Sequence, residues 1–321
     1  MIVYTANKEK LVLANEPFSS GGEGEVRTII RGTSNLKHVC VKIYYQAKRT
    51  KILEQKLGFM VKNPPKQVSG TGFMIGWPLA LVYDKSGSFL GFAMPLAFNG
   101  SKQLVNLTSM TISKKLAHEW TVKYGRENGK AALINRMKLI CNIAIPIHLL
   151  HATGKYVLRD FKPQNVLITL DGRVTIVDMD SVQITTGSSL LFAGTAATDI
   201  YMPPEFYSHG VGRNPAIPLK ASWDHFAISV VFYQLLFGLH PYVVTPWKLI
   251  GDCNEIFLNI ENNLFPFGPM ANKIRSYPSV HEKFSFLPQP IKQLFLRSFG
   301  LNSYERPTAR EWGEIIHKSI K

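Results

Sequence analysis

Residues 155–180 read KYVLRDFKPQNVLITLDGRVTIVDMD, and this run constrains the chain more than any other stretch. VLITL and VTIVD, both rich in β-branched residues, flank Asp171-Gly172, a two-residue turn that joins strands into a hairpin. Asp160, Lys162 and Asn165 stand in front of that hairpin, and Asp178 closes it. Acidic and amide oxygens at these separations, with a lysine beside the first, suit Mg²⁺-assisted phosphoryl transfer. One carboxylate can orient an attacking hydroxyl, and the lysine can neutralise a transferring phosphate. The amide oxygen and the second carboxylate can hold a metal ion.

The surrounding pattern divides in two. LVLANEPF, EVRTII and KHVCVKIYY predict strands separated by the turn-like SSGG and RGTSNLK. AKRTKILEQKLGFMVKN predicts a helix over 47–63 that stops at Pro64-Pro65. Residues 77–97 predict a strand, a Lys-Ser-Gly turn and a second strand. AALINRMKLICNIAIPIHLLHATG predicts a long helix over 131–154, kinked or broken at Pro146 and capped by Gly154. Residues 223–321 predict mainly helices. A strand-rich segment before a helix-rich one fits two lobes with a ligand cleft between them.

Composition excludes several classes. A hydrophobic fraction of 45% over 321 residues is that of a globule with a substantial core. Cys40, Cys141 and Cys253 are odd in number and far apart, so neither a disulfide framework nor a metal-ligand pair is expected, and a reduced, cytoplasmic setting is. The first ten residues lack the apolar core of a signal peptide. The apolar run Phe226 to Leu239 is too short to span a bilayer, so no transmembrane segment is expected. The net charge of +15 is compatible with an anionic partner, but the basic residues are scattered. A nucleic-acid module would need a basic stripe with exposed aromatics, and none is visible.

The run R-D-x-K-P-x-N at 159–165 resembles the catalytic loop of eukaryotic-like (Hanks-type) Ser/Thr protein kinases. DMDSVQI resembles a divergent bacterial branch that includes the helix-hairpin-helix-associated kinases. The resemblance implies an α+β, bilobal kinase-like fold. Its N-lobe, an antiparallel sheet, would span 1–97, and its mainly helical C-lobe 98–321. It also implies ATP and Mg²⁺ (or Mn²⁺) and a protein substrate, and leaves room for a cognate phosphatase.

Residue by residue, the resemblance makes Asp160 and Lys162 catalytic and Asn165 and Asp178 the metal ligands. Gly21, Gly22, Gly24 and Val26 belong to a glycine-rich nucleotide loop, in which Ser19 replaces the first glycine and Glu23 sits at the tip. Lys42, ending VCVK, would grip the α- and β-phosphates and pair with a helix glutamate, for which Glu54 is the candidate. Met94, Pro95 and Ala97 would meet adenine, Pro95 through its carbonyl and Ala97 through its N–H. Leu158 stands at a histidine position, Met179 at an aromatic one and Asp180 at a glycine one. Tyr201 to Glu205 resembles the A-P-E segment, with Arg306 as partner of Glu205, and Asp224 opens the central helix.

Arg159 would receive a phosphate on the segment 181–201. Thr185, Thr186, Ser188, Ser189 and Thr195 are candidate acceptors, with Thr195 favoured and Thr198 in contact with the catalytic pair. The departures at Ser19, Glu54 and Asp180 keep a second class open, a nucleotide-binding or scaffolding pseudokinase.

Overall fold

The structure, a computed structural model, describes residues 1–32, 38–194, 196–207, 217–248 and 255–321. Cys253 and Thr195 lie outside the described residues. The chain forms two compact units. One comprises Met1–Gly70, Met74–Phe98 and Thr175–Asp180; the other comprises Thr71–Phe73, Asn99–Val174 and Ser181–Lys321. The units are therefore not two unbroken segments meeting at residue 97. Thr175–Asp180, with Asp178, belongs to the sheet unit.

The first unit is built on strands β1 (Ile2–Thr5), β2 (Lys10–Leu13), β3 (Ser19–Ser20), β4 (Gly24–Arg31) and β5 (Val39–Tyr44). After helix α1 (Lys51–Lys62) and β6 (Phe73–Ile75) come β7 (Ala80–Tyr83) and β8 (Phe89–Pro95). Seven of these strands form one antiparallel sheet in the order β2-β1-β7-β8-β5-β4-β3. Alternation sorts the faces of β5: Val39, Val41 and Ile43 enter a core with Val3, Leu11, Leu13, Val82 and Leu90. Lys42 and Tyr44 therefore project from the opposite face. A Cβ on Gly24 would lie 2.2 Å from the Ile43 carbonyl oxygen, and one on Gly91 1.9 Å from that of Lys42. Glycine on both neighbours is what lets the backbones press against β5 beside the lysine.

Helix α1 begins where the Thr50 hydroxyl accepts the Leu53 N–H, an ordinary N-cap, and ends at Asn63 before the two prolines. Its Met60 carbonyl accepts the indole N–H of Trp77, which fastens the helix within its unit.

The second unit carries β9 (Lys102–Gln103), α2 (His118–Tyr124), α3 (Gly129–His151), β10 (Tyr156–Val157) and β11 (Val166–Ile168). β12 (Val174–Ile176) follows the Asp171-Gly172 turn, and β13 (Gln183–Thr186) and β14 (Ser189–Phe192) form a hairpin. Helices α4 (Pro204–Tyr207), α5 (Ala221–Phe237), α6 (Ile256–Glu261), α7 (Gln289–Ser298) and α8 (Ala309–Ser319) complete it. Helix α3 runs through Pro146 without a break. From Arg126 to His151 it is long and apolar enough to cross a membrane; half of that window is buried, and α3 packs along α8. Helix α5 is buried almost throughout and ends at Gly238 in the left-handed conformation.

Two buried histidines brace α5 and the segment in front of it. The His240 Nε2–H donates to the Ile200 carbonyl, and Nδ1 accepts the Tyr242 N–H. The His281 Nε2–H donates to the Val243 carbonyl, and Nδ1 accepts the Tyr233 hydroxyl. Both rings are thereby held neutral, and burial pushes each down to about 4. A depressed histidine contributes stability that is complete above the unfolded value of about 6.5 and is lost as the pH falls towards the folded value. Urea unfolding at pH 7 and pH 5 should show a loss at pH 5 of about 2 kcal/mol per histidine. His281→Asn should remove one such share from the pH dependence.

Candidate active site

Lys42 meets three carboxylates of the sheet unit. Its Nζ lies 2.6 Å from Asp180 Oδ2, 3.2 Å from Asp178 Oδ1 and 3.6 Å from Glu23 Oε2. The Tyr44 hydroxyl donates to the same Asp180 oxygen. Asp178 adopts φ +64°, a left-handed turn that brings two carboxylates spaced by two residues onto one lysine. Burial alone would discharge Lys42, but Asp180, Asp178 and Glu23 outweigh it and raise its pKa. Burial and the adjacent Asp180 charge raise Asp178. Burial opposes the Asp180 charge too, yet Lys42 and Tyr44 hold that group below the usual carboxylate range.

The expected Lys42–Glu54 pair is not formed. Glu54 accepts from the Tyr83 hydroxyl at 3.2 Å and from Lys51 at 3.0 Å. The residue of α1 that meets this cluster is Lys56, 2% exposed, whose Nζ donates to the Asp180 carbonyl at 2.7 Å. Two residues along a helix are roughly 200° around it, so Glu54 and Lys56 face opposite ways. Sequence reasoning passed over Lys56 and Tyr44. The available signal was that Lys56 sits on the stripe of Leu57 and Met60, where a lysine must have a buried partner.

The glycine-rich segment is a tight hairpin: Ser19 pairs with Val26, and the Gly21 N–H donates to the Gly24 carbonyl at 2.9 Å. A Cβ on Gly21 or Gly22 would meet nothing within 4 Å, while Gly24 is required by β5. Glu23 bends back from the tip to Lys42. Met94 and Pro95 end β8 opposite Cys40 and Val39, the Leu96 N–H is taken by the His38 carbonyl, and half-buried Ala97 follows.

In the helical unit, Asp160, Lys162 and Thr198 close a triangle. Lys162 Nζ donates to Asp160 Oδ2 at 2.7 Å and to Thr198 Oγ1 at 3.0 Å, and the Thr198 hydroxyl donates to Asp160 Oδ1 at 2.7 Å. The Asn165 amide N–H donates to the Asp160 carbonyl at 3.0 Å, which leaves its oxygen end for a cation. Arg159 adopts φ +61°, and the Leu158 and Arg159 N–H groups donate to the two Asp224 oxygens at 2.7 and 3.0 Å. His151 Nε2–H adds a third bond to Asp224 at 2.8 Å. A Cβ on Gly194 would fall 2.6 Å from Arg159 Cδ, so the arginine lies along the residue just before Thr195. Thr186, Ser188 and Ser189 are exposed in the β13–β14 hairpin, and the Thr185 hydroxyl donates to the Lys155 carbonyl. Arg306 grips Glu205 through two bonds of 2.6 and 2.8 Å.

Residues 104–315 match the protein kinase domain family, and the chain belongs to that family. Over 97% of its length it is 23% identical to protein kinase YegI of Escherichia coli (strain K12), covering 45% of that protein. A 105-residue stretch, 32% of the chain, is 37% identical to 16% of serine/threonine-protein kinase PknH of Mycobacterium tuberculosis. Another of 124 residues, 37% of the chain, is 29% identical to 28% of human serine/threonine-protein kinase 32B. The chain thus spans less than half the length of these relatives. Members of the family use ATP and a divalent metal.

Because Glu54 bonds Tyr83 and Lys51 rather than Lys42, Glu54→Gln should leave the dissociation constant for a non-hydrolysable ATP analogue within about two-fold and lower stability by no more than about 1 kcal/mol. Calorimetric titration and urea unfolding would check both. A ten-fold weaker nucleotide affinity would return Glu54 to the site.

Proposed function

We propose that this chain is a serine/threonine protein kinase that transfers the γ-phosphate of ATP to protein hydroxyl groups. The triangle of Asp160, Lys162 and Thr198 carries the reading. It holds a buried carboxylate and an ammonium group together, with a hydroxyl fixing the carboxylate's second oxygen. Asp160 would orient the acceptor hydroxyl and take up its proton as the new O–P bond forms and ADP departs. Lys162 would offset the charge on the moving phosphoryl group, and Thr198 would hold the two in register.

Lys42 would grip the α- and β-phosphates, Gly21, Gly22, Gly24 and Val26 would lie over the nucleotide, and Met94, Pro95 and Ala97 would meet adenine. The donor set suits a hard divalent cation. Asp178, Asp180 and Glu23 each offer a carboxylate oxygen within 4.8 Å of the others. Among the described residues, Asp180 Oδ1 is buried with no hydrogen-bond partner. Asp178, with the Asn165 amide oxygen, would hold Mg²⁺ or Mn²⁺, which would screen the triphosphate charge. A protein substrate, an opposing phosphatase, a cytoplasmic setting and kinship with the helix-hairpin-helix-associated branch complete the proposal.

A second reading, a nucleotide-binding pseudokinase, draws on the engagement of Lys42 by three carboxylates. One assay separates the two. Asp160→Asn should lower transfer from labelled ATP to a generic protein acceptor by about 10³-fold or more while leaving nucleotide affinity within a few-fold. Chelating the metal should stop transfer in the wild type. Equal transfer by Asp160→Asn and wild type would remove Asp160 from its role; no transfer by either would favour the pseudokinase.

Autophosphorylation is part of the proposal. A phosphate on Thr195, or on one of Thr185, Thr186, Ser188 and Ser189, would meet the Arg159 guanidinium through charge-assisted bonds and order the segment. Intact-mass and peptide analysis after incubation with ATP should find added phosphate within 181–201, lost in Asp160→Asn. An active protein modified only elsewhere would overturn the switch.

A further inference from the structure

We propose that Asp180 is the counter-ion that positions Lys42, in place of a helix glutamate, and that Lys56 of α1 clamps Asp180 from the other side. The proposal rests on the nucleotide role assigned to Lys42 above. Lys42 makes its shortest ion pair, 2.6 Å, with Asp180, whose side chain is 3% exposed. Tyr44, two residues along the same face of β5, donates to the same carboxylate oxygen. A buried lysine with a fixed partner cannot be the residue that happens to sit there; each buried charge costs several kcal/mol unless matched. Lys56 is as deeply buried and donates to the Asp180 main chain. The helix therefore offers a cation to this cluster, while the metal-binding segment supplies the anion. Relative to a helix glutamate paired with a glycine, Lys56 and Asp180 together are one unit more positive, and the anionic partner of Lys42 has moved from the helix to the turn.

The exchange is mechanically sensible. Asp178 and Asp180 lie on one short turn set by the left-handed Asp178. The lysine is thus aligned by the same turn that presents the Asp178 carboxylate. Lys56 ties that turn to α1 through a main-chain carbonyl, so removing the Asp180 side chain leaves the helix contact intact while Lys42 loses its shortest ion pair and keeps Asp178 and Glu23. Asp180 is a positioning residue: it would act on the phosphates through Lys42.

The test uses the whole chain and Asp180→Asn, Lys42→Met, Lys56→Glu, Asp180→Gly and the doubles Lys42→Met/Asp180→Asn and Lys56→Glu/Asp180→Gly. Thermal midpoints without nucleotide report the pair independently of activity. Lys42→Met and Asp180→Asn should each lower the midpoint, and their double should fall short of the sum by about 3 °C or more. In transfer assays Asp180→Asn should lower kcat about 30-fold with the affinity for a fluorescent ADP analogue changed less than about five-fold. Lys56→Glu and Asp180→Gly should each lower kcat by more than about ten-fold, and their combination should recover to within about five-fold of wild type. That recovery is not expected of residues that only support the fold. Additive midpoints, or an Asp180→Asn variant that turns over at the wild-type rate, would overturn the proposal and leave the kinase reading standing. A wild-type protein that transfers no phosphate would overturn the kinase reading, while the midpoint cycle would still decide whether Lys42 and Asp180 form a coupled pair.

Discussion

The Asp224 carboxylate, 1% exposed at the start of α5, accepts hydrogen bonds from the N–H groups of Leu158 and Arg159 and from the His151 ring. A left-handed backbone is costly for arginine, and these bonds are what compensate at Arg159. With Arg159 turned, the next residue, Asp160, points back to Lys162 and Thr198. The geometry of the Asp160–Lys162–Thr198 triangle thus depends on a group buried beneath it. Helix α5 can serve as that foundation because it is buried on nearly every side, so its first turn does not fray.

Charge in the two units is handled in contrasting ways. Around Asp160 each strong group is matched once: one ammonium, one hydroxyl, one carboxylate. Around Lys42 three carboxylates crowd one ammonium, which leaves negative charge in excess and one buried Asp180 oxygen unbonded. Excess carboxylate oxygen suits a site that works with a divalent cation, and a closed triangle suits one that must hold a proton acceptor still.

Much of this was legible before any coordinate. The R-D-x-K-P-x-N run fixes the local turn, so Asp160, Lys162 and Asn165 had little freedom in where to stand. The Glu205–Arg306 pair followed from residue type and order; Asp224 read as a helix cap, but the N-cap is Lys220 and Asp224 instead bonds the Leu158 and Arg159 N–H groups and His151. What the sequence left open depends on rotation and on contact at a distance. Glu54 and Lys56 differ by two positions on a helix, and only packing against Trp77 and the sheet decides which faces Lys42's cluster. The assignment of Thr175–Asp180 to the sheet unit reflects contacts made across more than a hundred residues. Pro146 read as a break, but a helix clasped along α8 tolerates the lost backbone bond. Gly24 read as a phosphate cradle, whereas its first duty is steric, against the Ile43 carbonyl.

The lysine on the buried face of α1 has a consequence for how such chains drift over generations. Turning the Lys56–Asp180 arrangement into one with a helix glutamate and a glycine takes two substitutions. Lys56→Glu alone would set a carboxylate against the Asp180 carbonyl, and Asp180→Gly alone would take the shortest ion pair from Lys42. A direct route between the two arrangements thus passes through a chain with one of these contacts broken. A survey that recognises this family only by a strand lysine paired with a helix glutamate would pass over this chain. The informative mark is a paired one: a lysine on the helix's buried stripe together with two aspartates spaced by two residues at the end of the hairpin.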